Sequence, residues 1–223
     1  MNIKKINSDT IIFIALFAFA FVFSYIPFIT WPFDWIETFF HEISHGFAAI
    51  LTGGSINRIE LEISGAGTCY TTGGVRFIVA FAGYFGAVIW GMLIYEISDE
   101  LHPNLANYIS LILAAIIVMS LLLWGSDPVT YIISIAMVII FLMIVKIKSH
   151  IYSKILLKFI GIYTLLGAIK SPLYLIDGRE KGDGNSLHEI TGIPEIIWVS
   201  IWFSIGILGL YYLWKSSRQK IDI

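Results

Sequence analysis

The sequence predicts an all-α polytopic membrane protein with about six to seven transmembrane helices and a small membrane-associated β-hairpin. Of the 223 residues, 57% are hydrophobic and only 13% are charged, whereas about a quarter of the residues of a soluble domain carry charge. Apolar runs of about 20 residues, the length that crosses the hydrocarbon core of a bilayer, recur along the chain. One short alternating segment between two of these runs is typical of strands rather than of a helix.

The predicted helices follow from the apolar runs and the breaks between them. The first run, at about 10–31, follows two lysines and lacks a small-residue cleavage site, so we interpret it as a retained span rather than a signal peptide. A second helix is predicted at about 34–52, where paired glycines suit a helix end. Further spans are predicted at about 75–97, 105–124, 128–146, 155–176 and 193–214. The segment DGREKGDGNSLHEITG, at 177–192, is predicted as a polar loop.

A β-hairpin is predicted for residues 55–74, SINRIELEISGAGTCYTTGG. Ile59, Leu61 and Ile63 alternate with polar residues and share one face of the first strand. A Gly-Ala-Gly turn leads to a second strand of β-branched and aromatic residues. We expect residues 1–223 to form a single membrane-embedded domain with this hairpin as an insertion and with no separate soluble domain.

The charge and the cysteine content exclude several functions. The formal net charge is −2, and no basic patch with interleaved aromatic residues indicates a nucleic-acid partner. Cys69 is the one cysteine, which excludes an internal disulfide and a cysteine-built metal site. We therefore expect a multi-pass protein of the cell membrane whose surroundings are the lipid bilayer. The lysines and arginines of the loops do not settle its orientation, and the oligomeric state stays open.

The second helix carries an H-E-x-x-H motif in an otherwise apolar stretch, IETFFHEISHGFAAIL. His41 and His45 are one turn apart, so on a helix both imidazoles face the same way and can bind one zinc ion. Glu42 follows the first histidine, where its carboxylate can take a proton from a metal-activated water. Chance is the alternative explanation, but ionisable residues at bilayer depth cost on the order of 3 kcal/mol each and are rare without a role. The motif therefore predicts a metal site.

A third protein ligand is needed, because catalytic zinc usually has three. The extended pattern with a third histidine fails, since Leu51 stands at that position. Glu60 and Glu62 are weaker candidates, because the predicted hairpin makes them solvated strand residues. Asp177 and Asp183 are better placed, since they follow an apolar helix and lie among glycines that allow a close approach of the backbone. Spacing alone does not distinguish either aspartate from an ordinary loop residue.

These motifs resemble the M50 family of intramembrane zinc metallopeptidases, the site-2 protease clan, and most closely its M50B-like branch. The resemblance rests on IETFFHEISHGFAAILTGG, on the hairpin after it and on the aromatic-glycine stretch AGYFGA, and it covers most of the chain. It implies one Zn2+ ion per chain, with His41 and His45 as ligands and Glu42 as general base and then proton donor. Within the aromatic-glycine stretch, Gly83 and Gly86 are predicted to serve helix packing rather than metal binding.

The resemblance also points to the third ligand. In that family it is an aspartate of an Asp-Gly motif, often a few residues after a proline, and Asp177-Gly178 follows Pro172 in this way. It therefore implies Asp177 as the third ligand and Asp183 as the runner-up. The asparagine and second proline that usually precede this motif are missing here. Glu37, one turn before His41, is a candidate to orient that imidazole, or else a polar residue near the membrane surface.

The predicted function is zinc-dependent intramembrane proteolysis, with a transmembrane protein or peptide as substrate. The resemblance implies that an open edge of the hairpin holds an extended substrate by β-addition. Two alternatives belong to other classes: a non-catalytic binding or chaperone-like relative of the same fold, and a zinc-handling transporter. The intact H-E-x-x-H motif argues against the first. The clustering of ionisable residues on one helix and one loop argues against the second.

Overall fold

A computed structural model describes residues 7–98, 104–176 and 181–219, which form a helical bundle with one two-stranded sheet. The described helices are α1 Ser8–Phe23, α2 Trp31–Leu51, α3 Arg76–Ser98, α4 Leu105–Trp124, α5 Pro128–Lys146, α6 His150–Lys170, α7 Asp183–Thr191 and α8 Glu195–Gln219. The strands β1 Ser55–Leu61 and β2 Gly67–Thr72 lie between α2 and α3 in the chain. A 3-10 turn, Ser171–Leu175, directly follows α6.

Five of the described helices, α3, α4, α5, α6 and α8, are long and apolar enough to cross a membrane. The predicted fold class is confirmed, and the chain is an integral multi-pass membrane protein. The six to seven spans predicted from the sequence also include α1 and α2, which are not among these five. The helix α1 is apolar but has only 16 residues, and α2 carries three acidic residues among its 21. The first helix is shorter than its apolar run, because it ends four residues before Pro27, in a segment of turns.

The central helix of the bundle is α2, which packs against α3, α6 and the hairpin. Its apolar face is fully buried at Ile36, Phe40 and Ile43. Next to it, α3 and α6 cross at backbone distance, since a Cβ at Gly91 or at Gly161 would overlap the backbone of the opposite helix. This packing fixes two helices, α3 and α6, against α2.

The hairpin is antiparallel, with a register that runs from Ser55 opposite Thr72 to Leu61 opposite Gly67. A bulge after Ile56 lets both Ile56 and Ile59 turn into the core, although three positions separate them. The predicted apolar face is correct for Ile59 and Leu61. By contrast, Ile63 lies beyond the end of β1 and is 53% exposed.

A hydrogen-bond relay anchors β1 to the start of α5. The Leu61 N–H donates to the Thr130 hydroxyl at 2.8 Å, and that hydroxyl donates to the Asp127 carboxylate. Asp127 also caps α5, since it accepts from the N–H groups of Val129 and Thr130. The Thr130 hydroxyl and these N–H groups hold the pKa of Asp127 below its ordinary value. The hairpin is thereby fixed on one side before it reaches α2.

The helix α7 lies in the segment that the sequence predicts as a loop. Gly182 precedes it with a φ of 93°, and Gly192 ends it with a φ of 72°, a left-handed cap that glycine adopts without strain. Nine residues between two glycines give too short a pattern for the helical period to be read from the sequence. This helix brings its first residue, Asp183, to α2.

Candidate metal centre and active site

The two histidines of α2 lie side by side, as their spacing predicts. His41 Nε2 is 3.0 Å from His45 Nε2, and the ring planes are close to perpendicular, at 77°. His45 Nδ1 lies 2.7 Å from the carbonyl oxygen of Val79 on α3. In the tautomer in which Nδ1 donates to this carbonyl, Nε2 keeps its lone pair for a metal.

Asp183 completes a triangle with the two imidazoles. Its Oδ2 lies 3.1 Å from His41 Nε2 and 3.2 Å from His45 Nε2. Burial alone would raise the pKa of this carboxyl, but the two imidazoles hold it below its ordinary value. Behind Asp183, α7 is packed against α8, because a Cβ at Gly184 would overlap the Glu195 side chain. The carboxylate is thus held by the packing of its own helix.

The other predicted candidates lie elsewhere. Asp177, the third ligand that the family resemblance favours, lies outside the described residues. Among the described residues, Asp183 is the carboxylate that joins the two histidines. Glu60 lies on β1 at 2.7 Å from Arg58 Nε, and neither Glu60 nor Glu62 lines the cavity at the histidines.

The chemistry and spacing of these groups fit a zinc ion. Two imidazole nitrogens and one carboxylate oxygen lie within 4.8 Å of one another. Their closest pairwise distances are 3.0, 3.1 and 3.2 Å. A tetrahedral zinc ion with bonds of about 2.0 Å separates its ligand atoms by about 3.3 Å. Three protein ligands of this kind are typical of catalytic zinc, which keeps its fourth position for water.

The hairpin lies directly against Glu42. Glu42 is buried, and the backbone of β2 passes close to its side chain. A Cβ at Gly67 would overlap Glu42 Cγ and Thr38 Cγ2, so β2 reaches α2 only because this residue has no side chain. The Thr38 hydroxyl donates to the Gly65 carbonyl oxygen at 2.5 Å and holds the turn of the hairpin to the same helix.

The imidazoles have space because α3 presents a glycine to them. A Cβ at Gly83 would overlap the His41 ring and His45 Nε2, and a Cβ at Gly86 would overlap the Ser44 side chain. The predicted packing role of both glycines is confirmed. Sequence reasoning did not show that Gly83 packs on the histidines themselves, because the helix partner of AGYFGA cannot be read from the motif.

A cavity of about 1300 Å3 opens from the site. Residues 64–69 of the hairpin form one wall, and α3, α6 and α7 contribute the others. Three cations, Arg76, Lys170 and Lys181, also line it, and Arg76 and Lys181 are exposed. The cavity therefore has room for water and for a peptide segment at the histidines.

Glu37 lies in the same cavity, one turn before His41. It is 8% exposed, and its Oε1 makes no hydrogen bond to a described residue. A Cβ at Gly167 of α6 would overlap Glu37 Cγ and Cδ, so α6 leaves space for this carboxyl group. A buried acceptor atom is thus available beside the first histidine.

A family model described as Peptidase M50B-like matches residues 12–213. This range includes the hairpin, the cavity and every residue described at the site. Comparison with curated proteins gives no significant match, and comparison with solved structures gives none either.

Proposed function

The chain belongs to the Peptidase M50B-like family, and on that premise we propose that it is a zinc-dependent intramembrane protease that hydrolyses peptide bonds of membrane-spanning proteins or peptides. The observation that carries the proposal is the triangle of His41, His45 and Asp183, with sides of 3.0–3.2 Å. The buried carboxylate of Glu42 lines the same cavity as this triangle. Several of the surrounding helices are long enough to span a membrane.

His41, His45 and Asp183 would hold one zinc ion per chain. When bound, the ion polarises the substrate carbonyl and lowers the pKa of the water in its open position. Asp183 takes the place of third ligand in this proposal because of its distance to both histidines. The remaining chemistry belongs to the side chains and backbone around the cavity.

Glu42 is the proton carrier of the proposed reaction. Its carboxylate takes a proton from the attacking water as the water oxygen bonds to the carbonyl carbon and the π electron pair moves to the carbonyl oxygen. When this pair re-forms the carbonyl, the C–N bond breaks and Glu42 gives its proton to the departing nitrogen. The backbone of β2 at Gly67 packs on the Glu42 side chain, so the hairpin positions the base.

The free edge of β2 is the proposed place for the substrate backbone. β1 covers one edge of β2, and residues 64–69 line the cavity next to Glu42. An extended segment can pair with such an edge by β-addition. A substrate helix has to unwind first, because its amides are otherwise hydrogen-bonded within the helix.

Glu37 is the proposed orienting group for His41. His41 makes its polar contacts with its Nε2 atom. Its Nδ1 proton is therefore left for an acceptor one turn away. Glu37 Oε1, which makes no hydrogen bond to a described residue, would supply such an acceptor, whereas the Val79 carbonyl already lies against His45 Nδ1. A partner of this kind fixes the tautomer and the direction of a metal-binding imidazole.

A cleavage assay with a matched inactive variant tests the function. The purified protein in detergent micelles would be incubated with a pooled library of transmembrane-segment peptides, and products would be identified by mass spectrometry. We expect zinc-dependent cleavage by the wild type and none by Glu42→Gln, which keeps the size of the side chain and the metal ligands. Products of the same yield from both proteins would contradict the proposed role of Glu42, and no products from either would favour the non-catalytic alternative.

A further inference from the structure

The ring of Tyr84 is fixed at the candidate metal centre. Its centroid lies 4.4 Å from that of the His41 ring, at an angle of 70°, and 4.9 Å from that of the Trp202 ring. Trp202 is fully buried, and its indole N–H donates to the Phe81 carbonyl oxygen at 3.2 Å. Tyr84 also directly follows Gly83, which packs on both histidines. The ring therefore has rigid partners on both sides.

The hydroxyl of Tyr84 is available to a ligand in the cavity. Tyr84 lines the cavity together with Glu42 and Asp183. The hydroxyl makes no hydrogen bond to a described residue. A phenol keeps its proton at neutral pH, so Tyr84, whose ring contacts His41, offers an unused O–H donor to the cavity.

Three other side-chain donors of the cavity are already occupied. The Tyr163 hydroxyl donates to Asp34 Oδ1 at 2.6 Å, and the Thr38 hydroxyl donates to the Gly65 carbonyl oxygen at 2.5 Å. Lys170 donates to the Ser24 hydroxyl at 2.9 Å. Tyr84 combines a free donor with direct contact to His41, and so it is the group best placed to meet a reacting carbonyl.

We propose that Tyr84 is a catalytic residue whose O–H donates a hydrogen bond to the substrate carbonyl oxygen as that oxygen becomes negative. This inference rests on the proposed function. As the water oxygen bonds to the carbonyl carbon, the π electron pair moves to the oxygen, and Tyr84 stabilises this charge without transferring its proton. On collapse the pair re-forms the carbonyl, the C–N bond breaks, and the proton held by Glu42 goes to the nitrogen. A fixed donor at a developing oxyanion changes the rate by about 10²–10³-fold.

The test compares Tyr84→Phe with Tyr95→Phe. Phenylalanine keeps the ring contacts with His41 and Trp202 and removes only the oxygen. Tyr95 lies on the same helix, about 16 Å further along, is fully buried and does not line the cavity. It therefore controls for the loss of one phenol oxygen from α3.

The probe is a blocked Leu-Leu phosphinic peptide. Its tetrahedral phosphorus carries negatively charged oxygens, which imitate the oxyanion. Its affinity for the zinc-loaded full-length protein would be measured in detergent micelles, beside that of acetohydroxamate, a planar metal chelator. We expect the phosphinic peptide to bind Tyr84→Phe about 100-fold more weakly than it binds the wild type and Tyr95→Phe. We expect zinc content and acetohydroxamate affinity to be the same in all three proteins.

Each other outcome has a defined meaning. Equal affinity of the phosphinic peptide for the wild type and Tyr84→Phe would overturn the role of Tyr84, and so would an equal loss in Tyr95→Phe. A wild type that holds zinc but does not bind the phosphinic peptide would overturn it as well, because the cavity would then have no oxyanion site. A wild type without zinc would contradict the proposed function itself.

Discussion

Replacing Gly83 with alanine tests whether α3 sets the position of both histidines. The added Cβ would lie about 2.5 Å from His41 Nε2 and comparably close to His45 Nε2, whereas ordinary contacts begin at 3.4 Å. The imidazoles or α3 must therefore move by about 1 Å. A displacement of about 1 Å in a catalytic constellation costs about 100-fold in rate. We expect Gly83→Ala to lose zinc affinity, measured by competition with a chelating dye, and to lose cleavage activity by about this factor.

Gly86→Ala is the matched control for this experiment. Gly86 lies one turn further along α3 than Gly83. A Cβ at Gly86 would overlap the Ser44 side chain and would not contact an imidazole. We expect this variant to unfold at a lower temperature than the wild type while zinc affinity stays unchanged. Wild-type zinc affinity and activity in Gly83→Ala would refute the inference that α3 fixes the histidines. A loss of zinc affinity in both variants would mean that helix separation in general, rather than contact with the imidazoles, is responsible.

Three further predictions concern the hairpin, Glu37 and the cap of α5. Gly67→Ala should separate β2 from Glu42 and lower the cleavage rate while zinc content stays at the wild-type level; an unchanged rate would contradict the positioning role of the hairpin. Glu37→Leu should weaken zinc binding by about 10–100-fold, and Glu37→Gln should weaken it less. The control Glu96→Leu, which replaces a half-buried acid on α3 about 20 Å along the helix from Gly83, should not weaken it at all. If Glu37→Leu binds zinc like the wild type, Glu37 does not orient His41. Because the folded pKa of Asp127 is lowered, its stabilisation is complete above the ordinary value of about 3.9 and is lost as the pH falls through the folded pKa. The advantage of the wild type over Asp127→Asn in unfolding temperature should therefore stay constant from pH 6 to about pH 4 and decrease from there to about pH 2, and a constant difference over the whole range would contradict this.

The sequence predicts the long helices well because their ends carry local signals. The spans at 105–124 and 128–146 coincide with α4 and α5, since Gly125 and the Asp127-Pro128 pair interrupt a continuous apolar run. The hairpin is predicted for the same reason, as its alternation and its glycines lie within one short segment. The H-E-x-x-H motif is also local, because both histidines and Glu42 lie on one helix.

The rest of the site depends on contacts that are distant in the sequence. Asp183 lies 138 positions after His45 and reaches it through α7, a helix too short to be predicted. The contact of Tyr84 with His41 depends on which face of α3 meets α2, and an all-round apolar helix does not reveal this face. The contact of β2 with Glu42 is made by the backbone at Gly67, so no side-chain pattern marks it. The predicted role of Asp177 as third ligand stays a prediction.

Zinc content of the purified full-length protein tests the central claim most directly. It would be measured for the wild type, His41→Ala, Asp183→Ala and Asp177→Ala, after purification without chelators. We expect one zinc ion per chain in the wild type and in Asp177→Ala, and loss of zinc in His41→Ala and Asp183→Ala. Loss in Asp177→Ala with retention in Asp183→Ala would keep the metal site but contradict the ligand set. A wild-type protein without zinc would contradict the proposed metal centre.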